Sequence, residues 1–528
     1  MSALPQREYT ALPMMAHQRL AARKAWGKSG FALLMEQGTG KTLTFIAEAI
    51  ALYAAGKIEG MLVLAPNGVH VNWVLDEIPK SVPHNVPMLA AYYSTHPSRK
   101  ERTALDALLR PRRVGEVPPL RIMTMSYDSL LTARGMKAAE AFVRMLPCYI
   151  VADESHKIKS IDAKRTKRAI KIAKACAFRR IGTGTAIANS PMDAYSQFEF
   201  LGDGLLGETS ITAFRSQYCE LLPPGHGLLR HIVDRQARST GREVTDAKRL
   251  AMEARMQIVA KDSRGQPKYK NLGKLHDLVA QHSFRVLKDD CLDLPPKVYE
   301  TRYFHLTPAQ REVYDRMEEE QRFVLEDNQL LITTRLVALG KLRQITSGFL
   351  LLRDGTVSYI EDNPRIVLLR DQVEDETQQG IIWSQYKEEQ RNIAKMLKAL
   401  GQTVETVNGE TPLKLRREIR TEFQAGNLQW INAHPATMGE GYTLTAGKIV
   451  YYYSNGYNLV ERLQSEDRTH RKGTTGTIVY RDIVAIDTRD DNVVWALQHK
   501  LDTAAMITGD SERKSMRFRM TNERENGA

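Results

Sequence analysis

The segment Met35–Thr42 reads Met-Glu-Gln-Gly-Thr-Gly-Lys-Thr, and Val151–His156 reads Val-Ala-Asp-Glu-Ser-His. These two strings constrain the fold more than any other part of the chain, because each follows a short strand and the two must serve one ligand. Gly38, Thr39 and Gly40 form a loop whose glycines let the backbone curl, so that successive N–H groups face phosphate oxygens. Lys41 brings a point charge to the same oxygens, and the Thr42 hydroxyl is a ligand for Mg²⁺. The apolar, Ala-rich run Leu43–Leu52 reads as a helix that points its positive dipole end at the phosphates. Cys148–Ala152 is an apolar strand that delivers Asp153 to the metal, with Glu154 placed to polarise an attacking water. Taken alone, the first string is also compatible with a Gly-rich turn before an ordinary helix, and Met35 stands where the full P-loop expression has Gly. The two strings in this order imply a site for a nucleoside triphosphate, read here as ATP with Mg²⁺.

At 528 residues the chain is too long for a single core and divides into two to four domains. Its hydrophobic content of 42% suits packed globular domains. The formal net charge of +13 favours a polyanionic partner, although a merely basic surface remains the alternative on charge alone. Cys148, Cys176, Cys219 and Cys291 are widely spaced, which indicates neither a zinc module nor a disulfide framework. With no apolar leader and no run of 18 apolar residues, the expectation is a non-membrane, cytoplasmic protein.

Short apolar strands alternate with helical segments in the first third. Met61–Ala65, Arg121–Ser126, Cys148–Ala152 and Arg179–Thr183 are the strand candidates, with Ala104–Leu109 and Ala163–Ala175 helical. That rhythm implies a parallel sheet covered on both faces, with ligands beyond the carboxyl ends of its strands. Between about Asp203 and His282 the pattern becomes long, polar and helical, with a basic loop at Lys261–Lys270. Alternation resumes with Gly380–Ser384, Val404–Val407, Trp430–Ala433, Ile449–Tyr453 and Ile478–Ile486, after helical segments Pro308–Leu325 and Leu330–Ile345.

The second half carries chemistry of its own. Gln464–Gly473 reads Gln-Ser-Glu-Asp-Arg-Thr-His-Arg-Lys-Gly. On a helix Arg468 and Arg471 share a face, so both would reach one phosphate; a solvated charged face is the alternative. Thr437–Thr445 is a Gly-containing stretch before another strand, either an ordinary turn or a hinge that admits a ligand closely.

The order of these elements resembles superfamily-two helicases. Met35–Thr42, Asp153–His156, Thr183–Thr185, Gly439–Leu444 and Gln464–Arg471 are similar to motifs I, II, III, V and VI. The nearer resemblance is to the Swi/Snf-like branch, whose motif VI matches at Gln464, Arg468, His470, Arg471 and Gly473. Phe284–Lys297, ending Leu-Pro-Pro-Lys, and His305–Tyr314 continue the likeness, as does Ala65–Trp73 with its Asn-Trp, which resembles motif Ia. Ser155 stands where the branch has Ala or Gly, Ala188 where it has Gln, Thr443 where Asn is common and Thr474 where it has Gln; motif III lacks the usual Pro.

The resemblance implies an α/β fold: two RecA-like lobes with parallel sheets flanked by helices, plus a mainly helical insertion between motifs III and IV. The implied divisions are lobe one at 1–204, the insertion and linker at 205–300, lobe two at 301–510 and a charged tail at 511–528. The implied nucleotide contacts are Gln18, Gly38, Thr39, Gly40, Lys41, Thr42 and Gly441, with Thr42 and Asp153 on the metal. Lys41, Asp153, Glu154, Arg468 and Arg471 carry the chemistry. Pro66, Asn67, Thr124, Ser126, Thr185, Ser384, Gln385, Thr437 and Thr443 are the implied nucleic-acid contacts.

The activity implied is ATP-dependent translocation on double-stranded DNA, in replication, recombination or repair, by a compact bacterial or phage-type member in which monomeric action is possible. Alternatives are a strand-separating or annealing helicase on forked or branched DNA, an RNA-directed motor, and a non-catalytic ATP-dependent clamp.

Overall fold

A computed structural model describes residues 9–111, 118–240, 244–263, 265–326, 332–352, 354–438 and 443–510. The expected nucleotide contact Gly441 and the tail 511–528 lie outside the described residues. The chain forms two compact units. The first runs to Cys291 and also takes the residues from Asp502 to 510; the second is Leu292–Leu501.

In the first unit the strands are β1 (Gly30–Met35), β2 (Gly60–Ala65), β3 (Met88–Tyr92), β4 (Leu120–Ser126), β5 (Cys148–Asp153), β6 (Phe178–Gly182) and β7 (Ser283–Val286). They form one sheet in the order β3-β4-β2-β5-β6-β1-β7, parallel at every pairing. Every residue of β1, β2, β4 and β5 is buried, as a sheet covered on both faces requires. Side-chain alternation feeds two cores. Ala32, Leu34, Leu62, Leu64 and Ile150 pack on one face, and Leu33, Met35, Val63 and Val151 meet Phe45 and Ile46 on the other.

The expected strands lie within a residue or two of β2, β4, β5 and β6. The sequence reading missed β3 and β7. The first is an Ala-containing edge strand with mixed exposure, and the second is only four residues long. The insertion contributes helices Ile211–Tyr218, Gly227–Thr240, Asp246–Met256 and Leu272–Gln281. Its basic loop is tied down: single bridges join Cys219 to Tyr269, Leu221 to Val259 and Lys261 to Pro267. The last helix, Arg489–Thr508, has its closing residues in the first unit. There His276 Nδ1 lies 3.1 Å from the Ile507 carbonyl, and Arg285 makes paired bonds of 2.9 and 2.8 Å to the Asp510 carboxylate.

A buried ion pair fastens the helix after β1 to the sheet. Arg180 on β6 and Glu48 on helix Lys41–Ala54 are both 0% exposed. Arg180 Nε donates to both Glu48 oxygens at 3.1 and 3.0 Å, Arg180 Nη2 donates to Glu48 Oε1, and the Tyr149 hydroxyl adds a third donor at 3.1 Å.

The second unit contains β8 (Lys297–Phe304), β9 (Phe349–Leu351), β10 (Val357–Tyr359), β11 (Gly380–Trp383), β12 (Val404–Val407), β13 (Trp430–Ala433), β14 (Ile449–Tyr452) and β15 (Ile478–Ala485). Its main sheet is again parallel, in the order β12-β13-β11-β14-β15-β8, while β9 and β10 form an antiparallel hairpin. Gly380 opens β11 because a Cβ there would lie 2.2 Å from the Trp430 ring. Helix Leu459–Thr469 is fastened by Arg462, which bonds Asp482 at 3.0 Å and Glu466 at 2.9 Å and covers the Tyr452 ring at 3.3 Å. Both units are thus the parallel α/β lobes that the resemblance implied.

Glu48→Ala leaves the Arg180 guanidinium buried without its carboxylate. It is expected to destabilise the first unit by about 3–5 kcal/mol, read as a lower urea midpoint. Tyr149→Phe, which leaves the ion pair intact, should cost about 1 kcal/mol.

Candidate nucleotide site and nucleic-acid cleft

The carboxyl ends of β1 and β5 are separated in the sheet only by β6, so the loop after β1 and the acidic pair after β5 emerge at one edge. Gly38 and Gly40 both adopt left-handed backbone, with φ of +85° and +86°. A Cβ at Gly38 would meet nothing within 4 Å, so the loop is open on that side, whereas one at Gly40 would strike Gln18 Nε2 at 1.8 Å. Lys41 is folded back, donating to the carbonyls of Met35 at 3.0 Å and Glu36 at 3.3 Å. The Thr39 hydroxyl donates to the Glu36 carbonyl at 2.7 Å, and Thr42 opens the following helix, part exposed. Gln18 lies against this loop: its Nε2 donates to the Thr39 carbonyl at 3.1 Å, and its Oε1 accepts from Met15 N at 2.8 Å. His17 Nε2 reaches the same Thr39 carbonyl at 2.8 Å.

Asp153 ends β5 almost wholly buried. Its carboxylate is held at both oxygens: Trp73 Nε1 donates to Oδ2 at 3.0 Å, and the Glu154 backbone N–H donates to Oδ1 at 3.1 Å. The Tyr127 hydroxyl donates to the Asp153 carbonyl at 2.7 Å. Glu154 adopts left-handed backbone at φ +50°, which turns its side chain toward the phosphate loop. Gln37 Nε2 donates to Glu154 Oε1 at 3.2 Å, and His156 Nδ1 lies 3.4 Å from Oε2. Burial raises the Asp153 carboxyl, and the adjacent Glu154 charge raises it further. Burial also opposes the Glu154 charge, but hydrogen bonding to His156, the Lys41 charge and the Gln37 amide outweigh it and hold that carboxyl below its usual range. One buried carboxylate beside a phosphate loop with a helix-opening hydroxyl is a donor set that fits Mg²⁺, which binds through one or two carboxylates and substrate phosphates.

Motif III packs directly on this loop, since a Cβ at Gly184 would lie 3.1 Å from Glu36 Cα and 3.2 Å from Gln37 N. The unusual Ser155 has a structural use: its buried hydroxyl donates to Gln197 Oε1 at 2.7 Å, and the Gln197 amide in turn donates to the Ala186 carbonyl. Acidic motif and motif III are thereby joined through one glutamine.

Beside the nucleotide edge, the ends of β2, β3 and β4 border a cleft of about 390 Å³ lined by Asn67, His70, Tyr92, Ser94, Ser126 and Thr132 among others. Asn67 is exposed there, while Pro66 is buried. Ser126 shares a hydrogen bond of 2.8 Å with Ser129. Thr124 lies beneath the cleft, 0% exposed, and donates its hydroxyl to the His70 carbonyl at 2.6 Å. It supports the lining rather than presenting its hydroxyl to a phosphate. Thr185 is part exposed and its N–H donates to the Thr183 hydroxyl at 3.1 Å.

In the second unit Ser384 is buried and its hydroxyl meets no hydrogen-bond partner, so it too presents nothing to solvent. Gln385 is part exposed, its N–H held by Glu389 at 2.9 Å. Thr437 donates its hydroxyl to the His434 carbonyl at 2.7 Å. Helix Leu459–Thr469 ends before Arg471, so Arg468 and Arg471 do not share a helical face as the sequence reading had it. Arg468 is 1% exposed, whereas Arg471 is part exposed and donates to the Thr443 hydroxyl at 3.3 Å and the Asp467 carbonyl at 2.9 Å. Thr474 closes the turn, accepting from Arg471 N at 3.1 Å and donating to the Thr469 carbonyl at 2.6 Å. Lys297, the last residue of Leu-Pro-Pro-Lys, pairs with Glu466 at 3.3 Å, and the Tyr299 hydroxyl bonds the same carboxylate at 2.7 Å.

A family model for the SNF2-related domain matches residues 18–354, and one for the helicase conserved C-terminal domain matches 364–473. The chain belongs to the SNF2-related family. Among its relatives is the human protein described as DNA excision repair protein ERCC-6-like, 22% identical over 92% of this chain and 40% of the relative. Mouse DNA annealing helicase and endonuclease ZRANB3 is 22% identical over 97% of this chain and 42% of its own length. An uncharacterised ATP-dependent helicase of Mycoplasma genitalium is 23% identical over 88% and 39%. The chain spans about two fifths of the length of these relatives. The SWI2/SNF2 ATPase core of Sulfolobus solfataricus, solved with double-stranded DNA, covers 96% of each chain at 21% identity, with a TM-score of 0.37.

In this SNF2-related chain Trp73, like Gln37 and His156, takes a place at the site that no motif assigns. Trp73 belongs to the Asn-Trp pair, but nothing local signals that its indole reaches a carboxylate eighty positions away in the chain. Glu154→Gln is expected to lower kcat by about 10²–10⁴-fold with KM little changed. Gly184→Ala, which pushes on the phosphate-loop backbone, should weaken nucleotide binding by about tenfold in an equilibrium titration.

Proposed function

We propose that the protein is an ATP-driven motor that translocates on double-stranded DNA. The observation that best supports the ATP chemistry of this reading is the 3.2 Å bond between Gln37 and Glu154, since it brings the phosphate-loop candidate and the proposed water-polarising carboxylate within one side chain of each other. Lys41 leaves its carbonyl partners for the phosphates, Asp153 and Thr42 hold the Mg²⁺, and Glu154 orients the water. Mg²⁺, when bound, neutralises charge on the phosphate oxygens. Arg471, the less buried of the two motif VI arginines, is the one we assign to the γ-phosphate, where an arginine contributes about 10³–10⁵ in rate.

DNA is proposed as the partner on three grounds: the net charge of +13, the polar cleft at Asn67 and Ser126, and the DNA-directed names of the relatives. Hydroxyl and amide donors that touch only backbone phosphates carry no base information, which suits movement along any sequence. The basic arm Lys261–Lys270 is proposed to hold the second strand. Among the described residues no helix is long and apolar enough to cross a membrane. A cytoplasmic bacterial or phage setting, a role in replication, recombination or repair, and monomeric action complete the proposal. An annealing or strand-separating activity on forked DNA is the second reading, favoured by the annealing-helicase relative.

The test is steady-state ATP hydrolysis without nucleic acid and with duplex DNA, single-stranded DNA or RNA, at two salt concentrations. Stimulation chiefly by duplex, lost in Lys41→Ala and Arg471→Ala, is the expected result. Preference for single strands or RNA would overturn the duplex assignment, and absence of turnover in every condition would overturn the motor. Strand displacement or annealing on forked substrates would favour the second reading.

A further inference from the structure

Trp73 sits between the cleft and the metal carboxylate. It is 1% exposed and begins a π-helical turn, Trp73–Glu77, in which the Ile78 N–H bonds back to the Trp73 carbonyl. Such wide turns are rare inside helices and frequently mark functional sites. The short helix immediately before it, Val69–Asn72, carries the cleft-lining residues His70 and Val71 and follows cleft-lining Asn67. Within a few residues the chain therefore passes from the cleft wall to the indole that holds Asp153 Oδ2 at 3.0 Å.

A second connection runs beside the first. Ser126 lines the cleft, and its neighbour Tyr127 donates to the Asp153 carbonyl at 2.7 Å. Thr124 ties the two walls together through the His70 carbonyl at 2.6 Å. Movement of either wall by a fraction of an ångström is transmitted to Asp153 through groups already in hydrogen-bond contact, and packed interiors transmit such shifts because they compress little.

We propose that Trp73 is a positioning residue that couples occupation of the Asn67–Ser126 cleft to the orientation of the Asp153 carboxylate. With the cleft filled, the indole holds Oδ2 and so sets the orientation of the Asp153 carboxylate, which would hold a nucleotide-bound Mg²⁺. The coupling is reciprocal, so the same bond makes Mg²⁺-nucleotide strengthen whatever fills the cleft. That the cleft ligand is duplex DNA rests on the function proposed above.

Two substitutions separate the donor from the bulk. Trp73→Phe keeps an aromatic ring and removes the N–H; Trp73→His keeps an N–H at the matching ring position and removes the second ring. The affinity of the full chain for a fluorescent non-hydrolysable ATP analogue is measured with Mg²⁺ and in EDTA, each with and without a 20-base-pair duplex. In Trp73→Phe the Mg²⁺-dependent gain in affinity should fall by about tenfold, as loss of a hydrogen bond to a charged group predicts. The effect of duplex on that gain should vanish and the EDTA value should stay unchanged, while Trp73→His recovers part of both. Equal losses in the two variants would assign Trp73 to packing alone, and a wild-type Mg²⁺ gain in Trp73→Phe would overturn the proposal.

Should duplex leave the wild-type affinity unmoved, the DNA reading fails, while the Mg²⁺ arm still judges Trp73. Thermal unfolding checks that both variants fold. If either does not, ¹⁵N-indole spectra of the wild-type chain, with its five tryptophans, decide the matter. One buried indole signal should shift on adding duplex alone, and five unmoved signals would overturn the coupling.

Discussion

A parallel sheet sends all of its strand ends with the same polarity to one edge, and the site of this protein follows from that constraint. Because β6 separates β1 from β5, a phosphate loop and an acidic pair that are remote in the chain emerge side by side. Nothing in either string requires the other locally. The same polarity carries the ends of β2 and β4 to that edge, so the polar cleft opens beside the nucleotide site. Position in the sheet, rather than any single contact, determines which side chains can cooperate.

Each unit then places a buried charge group at the junction between a functional helix and its sheet. Arg180 and Glu48 do so beneath the phosphate-loop helix, and Arg462, Asp482 and Glu466 do so beneath the motif VI helix. Such groups need good geometry to offset desolvation, and here each carboxylate has an additional donor: Tyr149 on Glu48, Lys297 and Tyr299 on Glu466, and the Asn455 amide on Asp482. Their specificity is directional. A guanidinium held at several atoms fixes the rotation of its helix in a way that apolar packing alone leaves softer.

Much of this was legible in the sequence because period and punctuation agree. Short apolar runs mark many of the strands, Ser126, Asp153 and Gly182 close β4, β5 and β6, and Gly38 and Gly40 mark a loop that only positive φ can form. What escaped reading depends on distance in the chain. The four-residue β7 has no periodicity of its own and exists because β1 offers it an edge. Three-residue spacing implies that Arg468 and Arg471 share a face, but the helix stops at Thr469, so Arg471 lies beyond it in the turn closed by Thr474. Thr124 and Ser384 are polar residues near strand ends, which reads as ligand contact, yet burial withdraws both from solvent. Ser155 shows the converse: a departure from the family pattern is absorbed by a glutamine that only the fold brings near.

The return of residues 502–510 to the first unit, where Arg285 clasps Asp510, has a bearing on how the molecule is made. The ribosome releases β1 to β7 early, yet the segment that caps them arrives only after Leu292–Leu501 has been synthesised. Until then Arg285, which in the finished fold also reaches the carbonyls of Leu34 and Gly184 and lies 3.9 Å from Glu36, is without the closer Asp510 carboxylate. A nascent chain therefore completes its first unit last, after the intervening unit has emerged, so that unit matures from its end backward.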